Sequence, residues 1–252
     1  TLRKSSDNSV NPVIPRPGTC DTDSFSVSPS EAMKENEHRF TAVEREAIYK
    51  VMAERRDMRH FNGLPLDETL LQRLIAVANM APSVGLMQPW RFIRITKPDL
   101  RLAIHKVVAE ETQTTAEALG TRKEEFLKLK VEGILQCSEL LVAALPDKRE
   151  SHIFGRRTMP EMDLASLACA IQNMWLAARA EGIGLGWVSL FEPERIKTLL
   201  KMPSGSHPVA ILCIGHVDEF YPKPMLEMKN WIQGKGDELL MFENQWQDLE
   251  NY

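Results

Sequence analysis

From Arg39 onward, apolar residues fall into helical and strand periods. Val43, Ala47, Val51 and Met52 recur at helical spacing. Thr41 and Glu44 stand before them as a T-x-x-E capping box, in which each side chain bonds a backbone N–H that the first turn leaves free. This predicts a helix ending near Arg55. Asp67 is placed to cap a second helix, with Leu70, Leu71, Leu74, Ile75 and Val77 on its buried side. Residues 90–96 carry the aromatic and β-branched side chains of a strand. Pro98 opens a helix through Leu102, Ile104 and Val107, and a polar helical arm is expected over residues 114–130. A short apolar strand is expected at 140–145. The clearest helix is 163–181, whose Ala165, Ser166, Ala168, Cys169, Ala170, Ala177 and Ala178 would let neighbouring backbones approach closely. Gly182, Gly184 and Gly186 read as its stop. Strands at 187–190 and 209–214 then enclose a helix opened by Pro193. Helices around a few strands, without regular βαβ alternation, place the chain in the α+β class.

Composition narrows the function classes. Of 252 residues, 43% are hydrophobic, enough for one sizeable domain. Residues 1–38, rich in Ser, Pro, Asp and Asn, read as a disordered extension to a domain spanning 39–252. A net charge of −4 gives no footprint for nucleic acid or an anionic membrane, and no stretch approaches the ~20 apolar residues of a membrane span. Cys20, Cys137, Cys169 and Cys213 have no metal-ligand spacing. The last three lie in apolar stretches, where a free thiol packs as a small core residue. A reducing, cytoplasmic setting and no metal are the expectations.

Four segments could carry chemistry. Arg55-Arg56-Asp57-Met58-Arg59 offers three guanidiniums in five residues, fit for a phosphate or a polar ring edge; a solvated helix end is the plainer alternative. Residues 81–90, with two prolines, Gly85, Ser83 and Gln88, form a loop able to hold a ligand, and equally a simple connection. Gly182-Ile183-Gly184-Leu185-Gly186-Trp187-Val188-Ser189 has glycines like a phosphate loop, but it follows a helix and precedes a strand, the reverse of the dinucleotide fingerprint. It reads as a close backbone approach to something flat, with Ser189 beside it, or as plain helix termination. Residues 129–134 and 155–163 show no mechanism from their spacing.

Taken in order, Arg55-Arg56-Asp57-x-Arg59, PSVGLMQPW, LKVEGI, GRRTMPEMD and QNMWLAARAEGIGLGWVS resemble the flavin-consuming 5,6-dimethylbenzimidazole synthases, a nitroreductase-like group. The resemblance runs from about Arg39 to the C-terminus. It implies a mostly antiparallel central sheet flanked by helices and an intertwined homodimer with FMN at the subunit interface. It also implies a reaction in which reduced FMN and O₂ yield 5,6-dimethylbenzimidazole, the lower ligand of vitamin B12, and erythrose 4-phosphate, with a separate flavin reductase supplying the reduced FMN. By position, Arg55, Arg56, Met58 and Arg59 match flavin-binding residues, as do Ser83 and Val131. Asp57 matches the acidic residue needed for fragmentation, and Ser189 the serine beside the isoalloxazine. The arginines are expected to keep Asp57 ionised and so favour a base role. Such synthases often carry basic residues after a C-terminal Trp; here Ile232, Gln233 and Gly234 follow Trp231, and Lys235 comes next. Two other readings stay open: an NAD(P)H-dependent FMN nitroreductase, and a non-catalytic protein that sequesters FMN.

Overall fold

The structure is a computed structural model describing residues 38–234 and 241–246. The proposed extension over residues 1–38 lies, apart from His38, outside the described residues, as do Cys20 and Lys235. Residues 38–42 group apart from the unit that begins at Val43, and the architecture is that of the second unit.

Four strands, β1 (Arg91–Arg94), β2 (Glu139–Leu145), β3 (Gly184–Val188) and β4 (His207–Gly215), form one antiparallel sheet in the order β1-β2-β4-β3. The two central strands are near-continuous apolar runs because helices cover both faces; β2 is buried from Leu140 to Leu145. Pro208 sits where the β2–β4 register slips, between the pairs Ala143↔Ala210 and Ala144↔Pro208, a place where its missing N–H breaks no regular ladder.

One face packs against α2 (Glu68–Ala78) and α5 (Met162–Ala180), burying Leu74, Leu167, Ile171 and Met174 over Leu141, Leu212 and Ile214. Asp67 caps α2 as its sequence predicts, accepting from Leu70 N at 3.1 Å. Ala170 and Ala178 of α5 are fully buried where small size permits close packing. The opposite face packs against α3 (Pro98–Ala118) and α6 (Pro193–Leu199), where Ile104, Val107, Val108 and Ile196 meet Val142, Ile211 and Cys213. The architecture is therefore α+β, with the sheet between two helical layers.

Several local expectations are corrected. The polar arm is not one helix: α3 runs on to Ala118, the chain turns through Gly120 at φ +56°, and a short α4 (Lys123–Leu127) follows. Leu102 points outward on α3, 55% exposed. Only Gly182, at φ +72°, ends α5, with Ile183 N donating to Ala178 O at 2.8 Å. Gly184 and Gly186 lie inside β3, which stops at Val188 rather than Leu190. Cys137 and Cys213 are core residues as expected, but Cys169 is exposed on α5. Helix α1 (Ala42–Glu54) forms as the spacing predicts, yet it buries no residue: Val43, Tyr49 and Met52 are 77%, 67% and 51% exposed. Among the described residues no helix is long and apolar enough to cross a membrane.

Candidate functional site

The arginine-rich segment leaves α1 and runs along the outer edge of β3. Met58 N donates to Leu185 O at 3.0 Å, and Asp57 pairs with Leu185 in a parallel bridge. This contact explains the glycines of β3. A Cβ on Gly186 would lie 2.2 Å from Met58 O, and one on Gly184 would lie 2.5 Å from Val217 Cγ1 and 3.3 Å from Met58 Cβ. The close backbone approach expected at these glycines is to the chain's own Arg55–Arg59 segment and not to something flat. Gly186→Ala should displace that segment at a cost of about 1–3 kcal/mol, typical of overpacking. Urea denaturation measures it; an unchanged midpoint would show that the segment shifts freely.

Asp57 is fixed from two sides. Its Oδ1 accepts from Trp187 N at 2.9 Å, and its Oδ2 accepts from Arg59 Nη2. The same Arg59 nitrogen donates to Trp187 O at 2.9 Å, while Arg59 N donates to the Tyr221 hydroxyl at 3.2 Å. Arg55 lies over the Trp175 ring, 4.5 Å from its centroid, and Trp175 Nε1 donates to Arg56 O at 3.1 Å. Arg56 donates to Ala53 O and Arg55 O, each at 2.7 Å, and to Pro222 O at 3.1 Å. Two buried guanidinium nitrogens, Arg56 Nε and Arg59 Nη1, have no partner among the described residues.

Arg55, Arg56, Asp57, Arg59 and Trp187 border a cleft of about 640 Å³, in the range for a small-molecule site. The structure brings Arg55, Arg56, Asp57, Arg59, Val131 and Ser189 to it. Met58 and Ser83 do not line it. Met58 alternates to the other side of its extended segment and is fully buried against the core layer of α3. Ser83 lies in the loop before β1, where its Oγ accepts from Gln88 N at 3.0 Å. The cleft also takes in Phe126 and Leu129 from the arm, Trp187 from β3, and Met225 and Trp231 from the C-terminal segment. Sequence reasoning passed over Phe126 and Met225, whose signal is an apolar side chain in an otherwise polar stretch, which periodicity does not register.

Burial pushes the Asp57 carboxyl above its ordinary 3.8, outweighing Arg59, the Trp187 N–H and Arg55, which pull it down. The side chain keeps 39% of its surface open to the cleft, but protein surrounds it on the other sides. The arginines expected to keep Asp57 ionised do pull its pKa down, but desolvation outweighs them. Tyr221, beside Arg59, is also raised, chiefly by burial.

The sequence profile of the nitroreductase family matches residues 52–216. The chain is 40% identical over 183 residues to the 5,6-dimethylbenzimidazole synthase of Rhodospirillum rubrum, covering 70% of this chain and 85% of that protein. It is also 40% identical over 197 residues to a 5,6-dimethylbenzimidazole synthase of Rhodobacter capsulatus, covering 76% and 94%. Among solved structures, oxidised iodotyrosine deiodinase bound to FMN and 3-iodo-L-tyrosine superposes with a TM-score of 0.61 at 22% identity, covering 79% of this chain and all of that one. The chain belongs to the nitroreductase family.

Proposed function

We propose that this chain is a 5,6-dimethylbenzimidazole synthase, an enzyme that fragments reduced FMN with O₂ to 5,6-dimethylbenzimidazole and erythrose 4-phosphate. The observation that carries the reading is Asp57, a carboxyl held between the Trp187 N–H and Arg59 at the wall of a cleft lined by three arginines. Two synthases 40% identical over most of their length support it.

The residues present fit a flavin mononucleotide. The cleft has a suitable volume, Trp187, Leu129 and Val131 give it apolar walls, and Arg56 Nε and Arg59 Nη1 are donors buried without a partner. A buried donor left unsatisfied costs about 1–3 kcal/mol, so an acceptor arriving there gains from a site already desolvated. Arg55, Arg56 and Arg59 would hold the ligand, with Val131 against it and Ser189 offering a hydroxyl to its ring edge. Bound reduced FMN supplies the oxygen-reactive ring and the sugar-chain bond that breaks. Asp57, raised by burial and opposed by Arg59, is able both to take up and to release a proton as that bond is cleaved. Arg59 keeps the carboxyl aimed, and the apolar walls keep bulk water away.

The working form is a homodimer in a reducing, cytoplasmic setting, with residues 39–252 as the catalytic domain and the preceding residues as an extension to it. The open apolar face of α1 supports the dimer, since an exposed apolar patch of that kind marks an interaction surface. So do Leu86 and Phe154, 80% and 82% exposed on neighbouring loops. Ser83 and Met58 serve the flavin through their loop and backbone rather than by lining the single-chain cleft. A separate flavin reductase supplies reduced FMN.

The test is an anaerobic mixture of protein and reduced FMN, opened to air and read by mass spectrometry. A 5,6-dimethylbenzimidazole mass that is absent with Asp57→Asn is the expected result. Intact oxidised FMN recovered from a protein that binds it would overturn the reading and favour an NAD(P)H-dependent nitroreductase, assayed by acceptor turnover.

A further inference from the structure

The C-terminal segment from Pro222 to Gly234 forms one wall of the cleft, yet it is stitched largely to itself. Its helix α7 (Met225–Met228) buries no residue. Trp231 N donates to Leu226 O at 2.9 Å, and Gly234 N donates to Glu227 Oε1 at 3.1 Å. At its near end, Arg56 holds Pro222 O. The far end meets the arm between α3 and α4, and the meeting point is Arg122. Its guanidinium lies over the Trp231 ring, 3.6 Å from the centroid, and its Nη2 donates to Trp231 O at 2.9 Å. Glu125 fixes the plane of the guanidinium with two bonds, from Nε at 2.9 Å and from Nη2 at 3.0 Å. Phe126 also packs against the same indole, with centroids 5.9 Å apart. Both Phe126 and Trp231 line the cleft, whereas Arg122 does not.

We infer that Arg122 is a positioning residue for the flavin site: it latches Trp231, and with it the C-terminal segment, against the arm so that the cleft stays closed over its ligand. The inference rests on the FMN-binding reading above. The chemistry follows from the geometry. A planar guanidinium can stack on an indole and bond its carbonyl at once, whereas a lysine ammonium offers charge without the flat face or the fork. The carboxylate of Glu125 sets that plane before Trp231 arrives, which lowers the cost of holding a long side chain in one rotamer. Losing the latch leaves Phe126 alone against the indole and frees the far end of the segment.

The experiment compares wild type with Arg122→Gln, Arg122→Lys and Glu125→Gln by stopped-flow release of oxidised FMN, whose fluorescence rises on leaving the protein. Release should be about tenfold faster in Arg122→Gln, as expected for losing a stacked cation and one hydrogen bond. Arg122→Lys should recover part of the loss, and Glu125→Gln should lie between Arg122→Gln and wild type. In ligand-free protein, acrylamide quenching of Trp231, isolated by difference from Trp231→Phe, should increase with Arg122→Gln while the melting temperature stays within a few degrees. Unchanged release together with unchanged quenching in folded Arg122→Gln overturns the latch. The two readings fail separately: wild type that binds FMN without fragmenting it sinks the synthase and leaves the release test intact. Wild type that binds no FMN leaves the quenching test to decide.

Discussion

Asp57→Asn is expected to lower 5,6-dimethylbenzimidazole formation at least about 100-fold while FMN binding persists, because a positioned proton-transfer group contributes about 10²–10⁴ in rate. The substitution keeps the shape of the side chain. Asn Oδ1 can still accept from Trp187 N, and Arg55, Arg56 and Arg59 remain to hold the ligand. What disappears is the titrating proton, together with the bond from Arg59 Nη2, which an amide NH2 cannot accept. Stability should move the other way. Burial holds the folded-state pKa above 3.8, so the folded chain binds that proton more tightly than the unfolded chain does. The carboxyl's stabilising contribution is fully present below 3.8 and is lost as pH rises through the folded-state pKa. Once ionised, the wild-type carboxyl carries a charge that burial disfavours, and Asn does not. Thermal denaturation should find Asp57→Asn melting at or above the wild-type temperature at pH 7, with the gap closing as pH falls through the folded-state pKa toward 3.8. A clearly lower melting temperature at pH 7 would mean that the Arg59 pair outweighs desolvation. Lost activity joined to gained stability is the signature of a carboxyl kept for chemistry.

Asp163→Ala should carry the largest stability cost outside the cleft. Asp163 is 4% exposed at the start of α5. Its Oδ2 accepts from Arg149 Nε at 2.8 Å and from Arg156 Nε and Nη2 at 3.2 and 3.1 Å, while Oδ1 accepts from Leu164 N at 2.8 Å. Removing it leaves two nearly buried guanidiniums beside each other with no counter-charge. Breaking such a pair costs about 3–5 kcal/mol, or on the order of 10 °C in melting temperature for a domain of this size. The damage should spread through the loop that Arg149 and Arg156 brace. Gly155 touches Val84 there, and Phe154 packs over Gly85 closely enough that a Cβ on Gly85 would sit 2.8 Å from Phe154 O. Calorimetry measures the loss, and limited proteolysis locates it in residues 149–161. A shift of only a degree or two would mean that water reaches the arginines freely.

What the sequence made legible is what local physics decides. The Asp67 cap and α5 depend on a few neighbouring residues, and both stand where the pattern puts them. Arg55, Arg56, Asp57, Arg59, Val131 and Ser189 line one cleft, whereas Met58 and Ser83 do not. The rest depends on contacts distant in the chain. Gly184 and Gly186 read equally as a helix stop and as a close backbone approach because both ask for the same residue; only the presence of Met58 beside β3 tells them apart. The Asp57 carboxyl looked governed by its arginine neighbours because sequence displays charges and hides burial. Gly120 broke the arm that polar spacing joined. Cys169 sits among alanines on α5, but helix geometry turns it outward, a fact composition alone does not carry. Trp231 was noticed for the absence of basic residues after it, when its part in the cleft comes from the ring itself and from Arg122, more than 100 positions away.

β3 ends the sheet, and an uncovered terminal strand offers its free N–H and C=O groups to any other chain, the usual start of edge-to-edge aggregation. Here the Arg55–Arg59 segment occupies that border: Leu185 O is taken by Met58 N, and Trp187 N is taken by a side-chain carboxylate in place of a neighbouring strand's carbonyl. The side chains that line the cleft also cover this edge of the sheet, so changes that loosen them are expected to surface first as insolubility.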